Sequence, residues 1–335
     1  MATTPLARPF RWGILGTGGI ATKFATGLTA QADAKLVAVG SRSQAAADAF
    51  GDRFAIPRRH ASYADLATDP EVDAIYIATP HPFHLENMLT CLDAGKAVLC
   101  EKPFTLNAEQ ARRAIEHARS RGLFLMLMEA MWTRFLPLFV ELRRLLAEQA
   151  IGELRLLQAD FGFRTGFNPQ GRLFDPALGG GALLDVGVYT VSLAHMLLGA
   201  PTHVTGLAEL GTTGVDEQSA YVLDYAGGQL AVLSSAIRTA TPQEALIVGT
   251  AGQIRIHSPW WRSERMTLRR SGADDQVLDF PLTGNGYHYE AVEVQRCMAA
   301  GATESAIMPL DETLAIMTTL DRLRAPWGLR YPGEE

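Results

Sequence analysis

One short glycine-rich turn, residues 16–21 with the sequence GTGGIA, constrains the fold of this chain more than any other feature. It follows an apolar strand candidate, Arg11–Leu15, and opens a helix candidate, Ile20–Ala30. In the pattern G-x-G-x-x-A the first glycine permits a tight turn, and the second lets the backbone approach a pyrophosphate. The small alanine lets helix and strand pack closely, and the helix N-terminus presents free N–H groups to the phosphates. The turn predicts a dinucleotide site whose contacts include Gly16, Thr17, Gly18, Gly19 and Ile20.

The first 130 residues continue this alternation of short apolar strands and helices, which indicates a parallel sheet covered on both faces. The predicted strands are Arg11–Leu15, Lys35–Gly40, Ala74–Ala78, Ala97–Cys100 and Leu123–Met128. The predicted helices are Ile20–Ala30, Gln44–Phe54, Pro82–Ala94 and Ala108–Arg121. We therefore expect a doubly wound Rossmann domain over residues 1–130.

After residue 130 the pattern changes to longer, alternating strands interrupted by a few helices, which is typical of a mostly antiparallel sheet. The pair Gly227-Gly228 lies between two strand candidates and predicts a hairpin. The predicted strands are Leu154–Phe163, Tyr221–Tyr225, Gln229–Ile237, Glu244–Val248 and Gln253–His257, and the predicted helices are Phe135–Ala150, Ala182–Leu198, Tyr289–Ala300 and Leu310–Leu320. We expect a second α/β domain with a mostly antiparallel sheet over residues 131–335.

Composition excludes several classes of partner. With 335 residues, a net charge of -6 and a pI near 5.8, the chain lacks the basic surface that nucleic acid requires. The N-terminus shows no apolar signal core, and we expect no apolar run long enough to cross a bilayer. The three cysteines are widely spaced in apolar surroundings, so we expect reduced core residues and a cytoplasmic protein without a bound metal.

The residues after the second strand candidate bear on cofactor choice. NAD enzymes usually carry an acid there for the ribose 2′-hydroxyl, whereas this chain has Ser41 and Arg42. An arginine can pair with a 2′-phosphate, and Ser41 can donate a hydrogen bond to it. The pattern favours NADP, with NAD as the alternative if Arg42 is only a surface residue.

The loops after the third and fourth strand candidates should also border the nucleotide, because ligands bind at the carboxyl ends of parallel strands. Thr79, Pro80 and His84 follow the third strand, and Glu101 and Lys102 follow the fourth. The histidines near Pro82 have no third ligand nearby, so a helix-capping or packing role is favoured over a metal site.

Four segments together carry a resemblance to a known family. The segments GTGGIA, ATPHPFH, CEKP and GGGALLDVGVY, spread over most of the chain, resemble the glucose-fructose oxidoreductase/inositol dehydrogenase family. Further segments, including SRGLFLMLMEAMWTRFLP and TGVDEQSAYVLDY, are similar to its branch of dimeric dihydrodiol dehydrogenases and NADP-dependent D-xylose dehydrogenases. The resemblance implies a Rossmann domain, a second, substrate-binding domain with a large open sheet, and a homodimer or higher homo-oligomer formed through that sheet.

The resemblance also implies a catalytic set of Lys102, Asp185 and Tyr189. The last two are four residues apart on a helix candidate and so share one face. The wider family usually has histidine at the position of Tyr189. A tyrosine with the ordinary pKa of about 10 is a poor base, and a nearby ammonium such as Lys102 would favour the phenolate. From periodicity alone, a helix-capping Asp185 and a packed Tyr189 would be the simpler interpretation.

Trp132, Arg134 and Arg172 are candidates for substrate contact by the same resemblance, with interdomain packing or ion pairing as the alternative. The sequence therefore predicts an NADP-dependent oxidoreductase that transfers a hydride between the nicotinamide and a cyclic polyhydroxy substrate. That substrate would be an aldopyranose such as D-xylose, or a trans-dihydrodiol. The alternatives are another sugar or inositol dehydrogenase of the family, and a regulator that binds NADP without turnover.

Overall fold

The computed structural model describes residues 8–120 and 126–334, which divide into two compact units. The first unit takes the chain as far as Thr105, with Glu109–Phe135 and Thr283–Thr313; the second takes Leu106–Ala108, Leu136–Leu282 and Leu314 onward. The segment Thr283–Thr313 therefore packs with the first unit, which a single division after residue 130 does not anticipate. Its helix lies against the helix after the glycine turn, where a Cβ on Gly27 would lie 3.1 Å from the Tyr287 Cβ.

The first unit is built on a six-stranded sheet in the order β3-β2-β1-β4-β5-β6, and every neighbouring pair is parallel. Its strands are β1 (Phe10–Leu15), β2 (Ala34–Gly40), β3 (Arg58–His60), β4 (Ala74–Ile77), β5 (Ala97–Glu101) and β6 (Leu127–Ala130). The helices between them are α1 (Gly19–Leu28), α2 (Gln44–Phe54), α3 (Tyr63–Ala67), α4 (His84–Asp93) and α5 (Ala108–Ser120). The predicted Rossmann architecture is confirmed.

Aromatic packing fixes α1 on this sheet. The Phe24 ring of α1 stacks on Tyr76 of β4, with ring centroids 3.8 Å apart, and meets Trp12 of β1 edge-on at 5.4 Å. All three side chains are fully buried. Strand order reverses between β1 and β4, and at such a switch point the loops after the two strands separate and leave a crevice for a ligand.

The second unit is built on an eight-stranded sheet in the order β14-β13-β12-β11-β7-β10-β9-β8. All neighbours are antiparallel except β7 and β10, and the Gly227-Gly228 hairpin joins β9 to β10 as predicted. Its strands are β7 (Leu154–Gly162), β8 (His203–Leu210), β9 (Asp216–Asp224), β10 (Leu230–Ala236), β11 (Ala245–Gly249), β12 (Gly252–Ile256), β13 (Arg265–Arg270) and β14 (Gln276–Asp279).

Four further helices follow the first unit's sheet in the chain, and these are α6 (Pro137–Ala147), α7 (Val188–Leu198), α8 (His288–Ala299) and α9 (Leu310–Arg324). Among them α7 packs on β7 and β10. It is preceded by a π-helical turn, Leu183–Gly187, so the predicted helix Ala182–Leu198 is α-helical only from Val188. The stretch Pro176–Leu198 is long and apolar enough to cross a membrane, contrary to the sequence expectation, but 83% of its apolar window is buried inside the fold. That burial is typical of a core helix.

Candidate functional site

The turn between β1 and α1 has the backbone that its sequence predicts. Gly16 adopts φ +104°, and a Cβ there would lie 3.0 Å from the Ala78 carbonyl oxygen at the end of β4. The Gly16 N–H donates a 2.9 Å hydrogen bond to the Gly40 carbonyl at the end of β2. Only glycine combines this φ with this close approach, so the residue lets the ends of three strands converge.

The two following glycines face open space. A Cβ on Gly18 or Gly19 would meet no atom within 4 Å, whereas Ala21 is fully buried against the sheet. The first turn of α1 contains no acid, and no side chain caps its N-terminus. Uncapped N–H groups that face open space, with no acid in the first helical turn, suit a pyrophosphate, so the turn fits the dinucleotide that its sequence implies.

At the end of β2, Ser41 is buried and its N–H donates to the His60 carbonyl at 3.0 Å, while Arg42 is exposed. Burial raises the pKa of Tyr63, and the nearby Arg42 guanidinium opposes that rise. Within the described residues, no carboxylate forms an ion pair with Arg42. The strand end therefore offers a cation, and no acid, to a group bound beside it.

The buried His84 ring lies between two loops of the first unit and contacts a backbone carbonyl of each. Its two ring nitrogens lie 2.9 Å from the Thr79 carbonyl oxygen and 2.9 Å from the Pro103 carbonyl oxygen. Burial lowers its pKa, which favours a neutral ring that donates to one carbonyl at a time. The fully buried ring holds the loops after β4 and β5 together, so its position differs from the direct cofactor contact predicted for it. Thr79 is also buried, with its hydroxyl accepting from the Asn87 amide at 2.9 Å, and Pro80 is exposed beside it.

Glu101, predicted to contact the cofactor, is likewise buried behind its loop. The Tyr76 hydroxyl donates to Glu101 Oε1, and the Lys102 N–H donates to Glu101 Oε2 at 3.1 Å. Burial raises the pKa of Glu101, against the opposing charge of the Lys102 ammonium. This carboxyl shapes the turn that presents Lys102, whose own side chain is partly exposed.

Two further buried carboxyls belong to the same unit. Burial raises the pKa of Glu290 well above its ordinary value, and the neighbouring Glu101 raises it further. Burial also raises the pKa of Glu129 to about 7, while Glu129 Oε1 accepts the Phe104 N–H at 3.1 Å. Burial therefore disfavours the charged form of each of these three carboxyls.

Two of the predicted substrate contacts are packed inside the first unit. The Trp132 ring stacks on Tyr287 with centroids 4.3 Å apart and an interplanar angle of 10°. Arg134 is buried, with Nη2 2.6 Å from Glu312 Oε1 and Nη1 donating to the Ile307 carbonyl at 3.2 Å. The structure thus favours the ion-pair alternative for Arg134.

In the second unit, Asp185 and Arg172 form the polar part of the candidate site. Arg172 Nη1 lies 2.8 Å from Asp185 Oδ1; the Asp185 side chain is 6% exposed and that of Arg172 is 59% exposed. Asp185 lies in the π-helical turn, which is a conformation that occurs most often at functional sites. The pair joins a buried carboxylate to a guanidinium that reaches solvent.

Tyr189 follows in the first turn of α7, beside two aromatic residues. Its ring centroid is 5.3 Å from that of Phe161 on β7, and Phe161 stacks on Trp261 at 3.4 Å with an interplanar angle of 9°. The predicted site residues include neither Phe161 nor Trp261. A phenylalanine at a strand end could not be identified as a site residue from the sequence, because its stacking partner Trp261 lies 100 residues away.

The predicted residues therefore form two groups. One group lies at the carboxyl ends of strands in the first unit and contains Gly16, Ser41, Thr79, Glu101 and Lys102, of which Glu101 is the last residue of β5. The second unit holds the set Arg172, Asp185 and Tyr189. These features define a Rossmann-type oxidoreductase architecture with a separate domain that carries polar and aromatic side chains.

Comparison with known proteins defines the class further. Residues 10–129 match the model of the oxidoreductase family with an NAD-binding Rossmann fold, and residues 139–255 match the GFO/IDH/MocA C-terminal domain. The chain belongs to the GFO/IDH/MocA family of NAD(P)-dependent oxidoreductases, as its sequence segments predicted.

Curated relatives match over nearly the whole chain. The trans-1,2-dihydrobenzene-1,2-diol dehydrogenase of Xenopus laevis is 38% identical over 334 residues, which cover 96% of this chain and 99% of the relative. The enzyme of the same name from Mus musculus is 36% identical over 337 residues, with 97% and 99% covered. The chain is thus an enzyme of the sugar and dihydrodiol dehydrogenase family.

Solved structures agree on the fold. The 3-ketoreductase KijD10 from Actinomadura kijaniata, in complex with NADP and TDP-benzene, superposes with a TM-score of 0.83 at 25% identity and covers 95% of this chain and 98% of its own. The aldose-aldose oxidoreductase from Caulobacter crescentus gives a TM-score of 0.85 at 23% identity, with the same coverage of 95% and 98%.

Proposed function

We propose that this protein is an NADP-dependent dehydrogenase of a cyclic polyhydroxy substrate, either a trans-dihydrodiol or an aldopyranose such as D-xylose. The observation that carries the proposal is the grouping in the second unit. There Tyr189 adjoins a flat Phe161–Trp261 stack, and Asp185 is paired with Arg172. An aromatic plane suits the apolar face of a ring, and the carboxylate suits its hydroxyls. The names of the curated relatives favour the dihydrodiol.

The proposed cofactor preference rests on the end of β2. The exposed Arg42 would pair with a 2′-phosphate, and Ser41 would contribute a hydrogen bond. The open backbone at Gly18 and Gly19 would receive the pyrophosphate, and the loops of Thr79–Pro80 and Lys102 would border the rest of the dinucleotide. The complex of the similar KijD10 with NADP supports this choice.

In the proposed reaction the bound nicotinamide supplies the hydride acceptor. Tyr189 takes the proton of the substrate hydroxyl in oxidation and returns it in reduction. A nearby ammonium would favour the phenolate of Tyr189 and orient the substrate oxygen, and Lys102 is the candidate that the family resemblance implies. Asp185, held by Arg172, accepts a hydrogen bond from a second substrate hydroxyl. The position of that second hydroxyl fixes which carbon loses the hydride.

The test compares initial rates with NADP⁺ and with NAD⁺ for a trans-dihydrodiol, D-xylose, D-glucose and inositol. We expect turnover of the dihydrodiol or xylose, with a higher kcat/KM for NADP⁺ than for NAD⁺. Tyr189→Phe should lower kcat by at least 1,000-fold, since it removes the proton acceptor, and should leave NADPH affinity within about twofold. The control Tyr225→Phe removes another buried hydroxyl of the second unit and should keep full activity.

Each result bears on a different part of the proposal. A fully active Tyr189→Phe variant would exclude Tyr189 as the acid-base group. Turnover of inositol or glucose alone would move the substrate assignment to the wider family. NADPH binding without turnover of any substrate would instead favour a regulator. We also propose a cytoplasmic location and a homodimer formed through the exposed face of the eight-stranded sheet.

A further inference from the structure

We infer that Asp216 is a positioning residue that holds the start of the helix bearing Asp185 and Tyr189. Asp216 is the first residue of β9, and Asp216 Oδ2 accepts the Leu183 N–H at 2.7 Å from 33 residues away in sequence. The inference rests on the proposed function, because it assigns to Asp216 a task in serving the proposed acid-base group.

The helix start has no cap of its own. Ala182 precedes the π-helical turn and has no side-chain oxygen, and the three residues before it are glycines. The first N–H groups of a helix are unpaired unless another group accepts them, and burying one unpaired costs free energy. The Leu183 N–H is buried, and its acceptor is the Asp216 carboxylate. Strand β9 therefore supplies the capping oxygen that the helix start does not contain.

The glycine run before the helix leaves space for the Asp216 carboxyl. Gly181 has φ +117°, and a Cβ there would lie 2.3 Å from Asp216 Oδ1. A side chain at this position would therefore displace the carboxyl as well as strain the backbone. The Gly180 carbonyl next to it accepts a 2.7 Å hydrogen bond from the Tyr331 hydroxyl, which fixes the approach of the chain to the helix.

The cost of burying Asp216 also argues for a specific role. The side chain is fully buried, and burial raises its pKa to about 7 in spite of the amide of Leu183 that favours the charged form. An apolar residue could fill the same space without the free-energy cost of removing a carboxyl group from water. The hydrogen bond from the Leu183 N–H gives this buried acid a specific role, which is to set the position of the helix start.

The two residues that this contact positions lie just beyond it. Asp185 is two residues after Leu183, and its N–H donates to the Gly181 carbonyl at 3.2 Å; Tyr189 is one turn further on. A shift of this start would move the Asp185 carboxylate and the Tyr189 hydroxyl together. Misplacement of a catalytic group by 1 Å can lower a rate about 100-fold.

The test uses three variants: Asp216→Ala removes the acceptor, Asp216→Asn keeps an oxygen for the Leu183 N–H, and Asp224→Ala removes an acid from the other end of β9 as a control. Active sites are counted by NADPH fluorescence titration. We expect Asp216→Ala to lower kcat per active site 10- to 100-fold while NADPH affinity stays within twofold. Asp216→Asn should keep at least a third of the wild-type kcat, and Asp224→Ala should keep all of it.

A second measurement does not depend on turnover. Deuterium exchange of the peptide covering residues 182–190 should be at least tenfold faster in Asp216→Ala than in wild type, and close to wild type in Asp216→Asn. A merely structural loss would lower the number of active sites without changing kcat per site.

The inference and the proposed function fail in different ways. Full kcat per site in Asp216→Ala, equal losses in the Ala and Asn variants, or unchanged exchange of residues 182–190 would each overturn the inference. Absence of turnover in wild type would instead overturn the proposed function, and the exchange experiment would still decide whether Asp216 holds this helix.

Discussion

At the scale of single residues, the side chains at the end of β2 bear most directly on the choice between NADP and NAD. A 2′-phosphate needs a cation, whereas a ribose 2′-hydroxyl needs an acceptor such as a carboxylate. Arg42 is exposed at this strand end, and among residues 8–120 and 126–334 no carboxylate neutralises it by an ion pair. The electrostatics favour the doubly charged phosphate.

For the NADP preference proposed above, Arg42→Glu should shift the enzyme towards NAD⁺. Loss of a charge-assisted hydrogen bond and the new repulsion should lower the ratio of kcat/KM for NADP⁺ to that for NAD⁺ by roughly 10- to 100-fold. Steady-state rates with each cofactor measure this ratio. The control Arg53→Glu changes another exposed arginine, whose guanidinium lies 5.2 Å from the Phe54 ring, and should leave the ratio unchanged. An unaltered ratio in Arg42→Glu would show that this residue does not contact the 2′-phosphate.

Other residues show that local backbone conformation could be predicted from the sequence, whereas distant side-chain partners could not. The glycine turn was predictable because backbone conformation is a local property of residues 16–21. For Arg134 an ion pair was one predicted alternative, but its partner could not be identified, because Glu312 lies 178 residues away. His84 begins α4 and Glu101 ends β5, so both lie after or at the ends of the predicted strands, but both side chains point into the protein and contact Thr79, Pro103 and Tyr76 of other elements.

At the scale of elements, strongly apolar strands and capped helices were predictable, and weakly patterned elements were not. The predicted α2 is identical to the observed Gln44–Phe54, with the Ser43 hydroxyl accepting the Ala46 N–H. The short β3, with the sequence RRH, and the alternating β8 on an exposed part of the sheet were not predicted, nor were α3, β13 and β14. These elements are charged, short or at sheet edges, so pairing with neighbours defines them. Part of the predicted strand Leu123–Met128 lies outside the described residues, and the observed β6 is Leu127–Ala130.

The β1–α1 turn allows its two roles to be separated by mutation. Gly16→Ala should lower the free energy of unfolding by about 1–3 kcal/mol, because it forces φ +104° on an alanine and crowds the Ala78 carbonyl. Gly18→Ala should change stability by less than about 0.5 kcal/mol, since φ is -78° and the space is open. Urea unfolding without cofactor measures both.

The same pair then tests the cofactor site. A Cβ at position 18 would occupy the space assigned to the pyrophosphate, so Gly18→Ala should weaken NADPH binding at least tenfold despite its normal stability. Fluorescence titration gives the Kd. Wild-type affinity in Gly18→Ala would mean that the phosphates do not approach this part of the backbone.

At the scale of the whole molecule, the eight-stranded sheet has one buried and one open face. The register pairs Thr205 with Val222 and Val222 with Val232, so these side chains point to the same side as Leu207 and Leu230. Leu207 is 82% exposed, Val232 42% and Leu230 41%. A contiguous apolar area on a sheet face is characteristic of a protein interface, and the proposed homodimer would cover it with a second copy of the same chain.

For the homodimer proposed above, Leu207→Glu should shift the protein from dimer to monomer. A charge placed at the centre of an interface of standard size, about 1,600 Å² in total, would be desolvated without a partner and should raise the dissociation constant at least 100-fold. Sedimentation velocity over a range of protein concentrations measures this constant. The control Val140→Glu alters a valine that is 52% exposed on α6, and its dissociation constant should equal that of wild type. A wild-type monomer at high concentration, or an unchanged dimer in Leu207→Glu, would show that this face serves another purpose.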